Sequence, residues 1–132
     1  MHVHHIDHPL LAHKLTVLRN KDTSSMIFRQ VTEELVMLLA YEATRDLPVV
    51  DVEIQTPVAT TGKEIAKPRP LVVPILRAGL GMLDGMVHMA PTAEVGFLGM
   101  IRDDETLNIV TYAERLPKDL TGRHVILLDP ML

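Results

Sequence analysis

Two apolar runs, each ending in a charged turn, constrain this chain more than any other feature. The first is Val72-Val73-Pro74-Ile75-Leu76-Arg77-Ala78-Gly79-Leu80-Gly81-Met82. The second is Val125-Ile126-Leu127-Leu128-Asp129-Pro130-Met131-Leu132. An unbroken apolar run of this length is expected of a strand covered on both faces, as in a parallel sheet. Such sheets bind ligands at the carboxyl ends of their strands. Arg77 and Asp129 both fall at such an end.

The rest of the chain supports an α/β reading. Residues 8 to 46 look helical: Pro9 suits a first turn, and Leu10, Leu11, Leu15 and Leu18 recur at helical spacing. Asn20-Lys21-Asp22-Thr23 reads as a break, after which Thr23, Ser24 or Ser25 could cap a second helix. There Ile27, Val31, Leu35, Leu38 and Leu39 mark one face. Val50, Val52 and Ile54 alternate with Asp51, Glu53 and Gln55, the pattern of a half-exposed strand. Thr61-Gly62-Lys63 reads as a turn. From residue 71 onward the sequence predicts a buried strand to Ile75, a Met-rich helix over 81–89, a strand over 95–100, a charged turn at Arg102-Asp103-Asp104-Glu105, an extended arm from Leu107 to Tyr112, and a third buried strand over 125–128. That order predicts a mostly parallel sheet in one domain over 1–132, with its α/β core beginning at 71.

Composition excludes several classes. With 13 basic and 17 acidic residues the net charge is -4, against a general nucleic-acid binder. No cysteine is present, so disulfide and thiolate chemistry are excluded and a reducing cytoplasm fits. No apolar run approaches the ~20 residues that span a bilayer. His2, His4, His5 and His8 have a spacing that could meet zinc or nickel. They lie at a chain terminus without cysteine partners, which disfavours a specific metal site.

Three residues carry the candidate chemistry. Arg77 opens a turn of small residues, Ala78-Gly79, whose backbone can approach an anion. A helix starting near Gly81 would add its positive end, and the arginine fork matches phosphate oxygens. Arg102 follows the next strand and could meet the same anion, or pair with neighbouring acids as a surface residue. Asp129 stands where acidic residues in nucleotide folds accept from sugar hydroxyls, or where a turn simply begins.

These stretches, with Asp7-His8-Pro9-Leu10, Leu39-Ala40-Tyr41-Glu42-Ala43-Thr44 and Gly99-Met100-Ile101-Arg102-Asp103-Asp104-Glu105-Thr106, resemble the uracil phosphoribosyltransferases in order and over almost the whole chain. The resemblance implies a type I phosphoribosyltransferase core, incomplete at its C-terminal side, with an N-terminal helical segment and an extended β arm. It implies that uracil and phosphoribosyl pyrophosphate give uridine monophosphate and pyrophosphate, with Mg2+ as cofactor. Arg77, Ala78, Gly79 and Arg102 would then hold the pyrophosphate, Arg77 and Arg102 as the catalytic pair. Asp129, with Pro130, Met131 and Leu132, would hold the ribose. A cis peptide would fall near Leu76–Arg77. A homodimer formed through the arm is expected, and a purine nucleotide is a candidate effector.

The family pattern continues past Asp-Pro-Met-Leu with a 5′-phosphate cradle and a uracil-reading segment that this sequence does not contain. The expectation is therefore negligible turnover by residues 1–132 alone, and poor solubility from an uncovered last strand. The alternative reading is a non-catalytic RNA-binding pyrimidine regulator on the same scaffold, which the net charge disfavours. A third is an anion-binding α/β module with no preference for phosphoribosyl pyrophosphate.

Overall fold

The computed structural model describes residues 2–103 and 108–131. Helix α1, Pro9–Arg19, starts at its proline, and the His8 Nδ1 accepts from Leu10 N–H at 3.1 Å to cap it. Helix α2, Ser25–Ala43, is capped by Ser24, whose Oγ accepts from Ile27 N–H at 3.4 Å. Capping of this kind satisfies amides that have no partner inside the helix.

The α2 helix is buried on two sides, not one. Val31 and Leu35 pack with Leu11 of α1. Val36 and Ala40, which the periodicity did not single out, pack with Val72, Met86 and Leu128 in the main core. Ile27 and Leu39, expected on the buried face, are more than a third exposed. The Lys14–Glu34 ion pair adds a polar tie between α1 and α2.

The strands β1, Val49–Glu53, and β2, Thr61–Ile65, form an antiparallel hairpin of their own. Thr61-Gly62-Lys63 is therefore strand and not turn: the chain reverses earlier, where Thr56 exchanges bonds with Ala59. The expected half-buried face of β1 is only partly covered: Val52 is half-buried and Ile54 lies over Gly62, while Val50 and Ile54 stay 47% and 44% exposed. Alternation reports that one face could be covered, not how fully it is.

The main sheet is built around β3, Leu71–Leu76. On one side β3 pairs in parallel with β7, Val125–Leu128; on the other it pairs in parallel with β4, Glu94–Val95, and then β5, Phe97–Arg102. Strand β6, Ile109–Arg115, closes the order as an antiparallel partner of β5. The mostly parallel sheet is as expected.

The break between β4 and β5 has a local cause. Val72 accepts from Gly96 N–H at 2.9 Å. Pro74, two residues on, faces the same neighbour without an N–H to donate. The facing chain leaves the ladder at Gly96 and resumes at Phe97.

Val72 faces α2 and α3, so Leu71 and Val73 face the other side. There Leu116 lies over Gly96 close to Leu71, and Leu71 to Val73 are at most 1% exposed. The last strand is buried on one side only, short of the fully buried strand expected and in keeping with its expected lack of cover. Only Leu128 of β7 is buried, while Val125 and Leu127 are 42% and 59% exposed. The turn into β7 closes with an Arg123 N–H to Leu120 oxygen bond of 3.1 Å, and Gly122 takes the left-handed conformation it requires, φ 66°.

Candidate functional site

The three candidate charges stand at the carboxyl ends of three adjacent parallel strands. Arg77 follows β3, Asp129 follows β7, and Arg102 is the last residue of β5. The register sets their relative heights. Pro74 pairs with Leu128 and Ile75 with Leu98, so Asp129 is level with Ile75 and Arg102 is four residues further along. At strand rise that stagger is about 13 Å. The charges therefore rise across one edge, with the carboxylate lowest and the Arg102 guanidinium outermost.

The turn after β3 is tighter than the sequence implies. The Leu76–Arg77 peptide is cis, where the resemblance placed one. A 3₁₀ turn, Ala78–Met82, begins directly after Arg77 and runs into α3, Leu83–Met89. The helical run thus starts three residues before Gly81, and the expected helix start at Gly81 is corrected. Both pieces are short, so the amino end of a long helix does not face the turn.

Gly79 has a different reason from the one its smallness suggested. It is buried, and a Cβ there would lie 2.1 Å from the Leu128 carbonyl oxygen and 3.2 Å from the Pro74 Cα. Gly79 lets the turn lie against the end of β7, which brings the Arg77 and Asp129 turns together. Gly81, by contrast, has open space where a Cβ would stand.

Arg77 and Ala78 are exposed. Among the described residues, no ion pair engages the Arg77 or Arg102 guanidinium. Asp104 and Glu105, the other acids of the charged turn, lie outside the described residues, as do Thr106, Leu107 and Leu132 of the expected arm and ribose loop. Asp103 N–H donates to the Asn108 oxygen at 2.9 Å, so the hairpin still converges there. Its register shifts between Gly99 and Met100, with Tyr112 as the extra residue on β6 opposite the strand that carries Arg102. The Tyr112 ring covers Gly99, 2.6 Å from where a Cβ would be.

Asp129 is exposed, and one carboxylate oxygen accepts from Met131 N–H at 3.3 Å. It does begin a turn. A carboxylate has about four lone-pair sites, so that single contact leaves capacity for hydroxyls. Pro130 and Met131 are exposed beside it.

Among the described residues no group of three or more His, Asp or Glu could hold an ion. Mg2+ is held by one or two carboxylates together with substrate phosphates and several waters; Asp129, exposed at the end of β7, is a carboxylate that would take such a share.

The sequence reading missed two contributors. His88 has its Nδ1 2.5 Å from a Glu33 carboxylate oxygen and ties α3 to α2. Arg123, not singled out at all, is a buried cation at the amino end of β7. A charge two residues before an apolar strand was the only signal available for it.

A mostly parallel sheet, an arginine turn after its central strand and an antiparallel arm beside it define a phosphoribosyltransferase-like α/β protein. The chain belongs to the uracil phosphoribosyltransferase family, whose model matches residues 5–132. It is 72% identical over 133 residues to a uracil phosphoribosyltransferase of Kocuria rhizophila, covering all of this chain and 63% of that relative. It is 72% identical over 128 residues to another from Pseudarthrobacter chlorophenolicus, covering 96% of this chain and 61% of the relative. A solved structure from Aquifex aeolicus aligns with a TM-score of 0.83 at 40% identity, over 96% of this chain and 61% of its own. The chain therefore spans a little over three fifths of the length of these relatives.

Proposed function

We propose that this chain supplies the leaving-group and ribose side of a uracil phosphoribosyltransferase. The reaction joins uracil to the ribose of phosphoribosyl pyrophosphate, giving uridine monophosphate and pyrophosphate. A uracil ring nitrogen attacks the anomeric carbon, the bond from that carbon to the pyrophosphate oxygen breaks, and the nitrogen's proton passes to solvent. Negative charge then grows on the leaving group. Preorganised cations at that position stabilise the transition state more than the ground state. Arg77 and Arg102 take this role, with the Ala78-Gly79 backbone beside them. Asp129 accepts from the ribose hydroxyls, and the Pro130-Met131 segment borders them. Magnesium, carried by substrate oxygens, would share the neutralisation of the pyrophosphate.

The observation that carries this reading is that the three charges stand at the ends of adjacent parallel strands in a chain matched along residues 5–132 by the family. Residues 1–132 are read as one phosphoribosyltransferase unit. A homodimer is part of the proposal, supported by the exposed Ile101, Ile109 and Tyr112 on the β5–β6 hairpin. A purine nucleotide remains the candidate effector. None of the described helices is long and apolar enough to cross a membrane, and the absence of cysteine fits the cytoplasm.

The test is binding of phosphoribosyl pyrophosphate in the presence of magnesium, by calorimetry, with turnover of labelled uracil beside it. Binding that prefers phosphoribosyl pyrophosphate over inorganic pyrophosphate, and weakens in Arg77→Ala and Asp129→Asn, supports the reading. Equal binding of any polyphosphate reduces the site to a general anion turn.

A further inference from the structure

A buried guanidinium lies at the end of the sheet opposite the candidate site. Arg123 precedes β7, and its side chain is 7% exposed. Its Nε donates to the backbone oxygen of Arg69, two residues before β3, at 2.8 Å. Its Nη2 lies 2.8 Å from Oε1 of Glu94, the first residue of β4. That second contact is an ion pair without hydrogen-bond alignment. One side chain thus ties together the amino ends of three parallel strands. The backbone reinforces it: Leu71 N–H donates to the His124 oxygen at 2.9 Å, and Glu94 N–H to the Pro70 oxygen at 3.0 Å.

A slip of two residues along β3 keeps every side chain of β7 on its own face, so alternation alone does not fix its register. The slip brings Ile126 to the place of Leu128 and His124 to that of Ile126, or, in the other sense, Leu128 to the place of Ile126 and Pro130 to that of Leu128. Arg123 adds a charge to this discrimination. The same slip moves its guanidinium about 7 Å from its partners and leaves a buried charge uncompensated, a strongly unfavourable state.

We propose that Arg123 is a positioning residue: by pinning β7 against β3 and β4 it sets the height at which Asp129 stands beside the Arg77 turn. This rests on the ribose role given to Asp129 above. The mechanism is rigid transmission along one short strand, from Arg123 at its foot to Asp129 at its head. Lysine at position 123 would keep the charge and lose the planar fork that meets two acceptors at once.

Two readouts test this in the 132-residue chain. Amide hydrogen exchange reports β7 directly, and calorimetry with phosphoribosyl pyrophosphate and magnesium reports the site. In Arg123→Ala, exchange at Ile126 to Leu128 should accelerate at least about tenfold while the β5–β6 hairpin is unchanged, and ligand affinity should fall about tenfold. The same substitution should cost no further affinity in an Asp129→Asn background, which a general loss of stability would not produce. Arg123→Lys should recover part of both losses. If Arg123→Ala does not fold, Glu94→Gln and Arg123→Lys carry the same comparison. Unchanged exchange in β7, uniform acceleration over the sheet, or an undiminished effect in the Asp129→Asn background would each overturn the proposal. No binding by the unsubstituted chain would overturn the functional reading and with it the positioning of Asp129, while the exchange result still decides whether Arg123 holds β7.

Discussion

Gly79 lies against the carbonyl of Leu128, so closely that a Cβ would stand 2.1 Å from that oxygen. The contact joins the turn after the central strand to the end of the neighbouring strand, across 49 residues of chain. Both atoms that a methyl group would meet first, the Leu128 oxygen and carbon, are backbone. Relief by rotating a side chain is therefore impossible, and the turn or the strand must move.

Gly79→Ala should destabilise the chain by about 1–3 kcal/mol, the usual cost of overpacking. It should also weaken phosphoribosyl pyrophosphate binding, because Arg77 and Asp129 move apart. Gly81→Ala is the control. Open space surrounds that position, so its stability should stay within about 1 kcal/mol of the parent. Urea unfolding of the two variants checks both values.

Met86 is 1% exposed and packs among Val36, Ala40, Val72 and Leu128. Met86→Ala should cost about 2–5 kcal/mol. Leu127→Ala removes a side chain that is 59% exposed, so its cost should be well under half of that. A Met86→Ala midpoint no lower than that of Leu127→Ala would show that α3 does not seal this core.

Stability should fall on acidification through two carboxylates. The Arg123 guanidinium holds Glu94 below the usual carboxylate range, and hydrogen bonds from Lys14 and then Gln30 do the same for Glu34. A carboxyl group whose folded value is depressed contributes its full stability above the unfolded value, and loses it as the pH falls through the folded one. The loss should therefore set in below about pH 4. Glu94→Gln should flatten that limb of a melting-temperature profile without altering the neutral plateau's slope.

Arg77→Ala and Asp129→Asn should each weaken phosphoribosyl pyrophosphate binding by about 1.5–3 kcal/mol, the range for hydrogen bonds to charged groups. Arg102→Ala should weaken that binding less than Arg77→Ala does, since Arg102 stands outermost on the edge. Chelating magnesium should weaken binding in the parent and in Arg102→Ala alike. Isothermal titration with and without chelator separates these outcomes.

Much of the candidate site was legible because its signals are local. An apolar run followed by a charge marks a buried strand and its end wherever the run sits in the fold, and Arg77, Arg102 and Asp129 were found that way. The helices were legible for the same reason, through Pro9 at a first turn and Ser24 at a cap. The errors have one common cause. Thr61 to Lys63 was read as a turn because glycine and lysine are poor strand formers, yet pairing with β1 made it strand. The second buried face of α2 was missed because Val36 and Ala40 touch the sheet, which a helical repeat does not reveal.

The amino-acid sequence alone determined most of the element types, the parallel character of the main sheet and the charges at its strand ends, because burial on one or both faces is written in the spacing of apolar residues. Tertiary structure alone decided what those elements meet. The seating of Gly79 on Leu128, the interruption of the strand opposite Pro74, and the Arg123 contact with Arg69 across 54 residues all depend on which distant segments become neighbours. Close packing admits a glycine, a missing N–H or a buried charge only where the facing chain accommodates it.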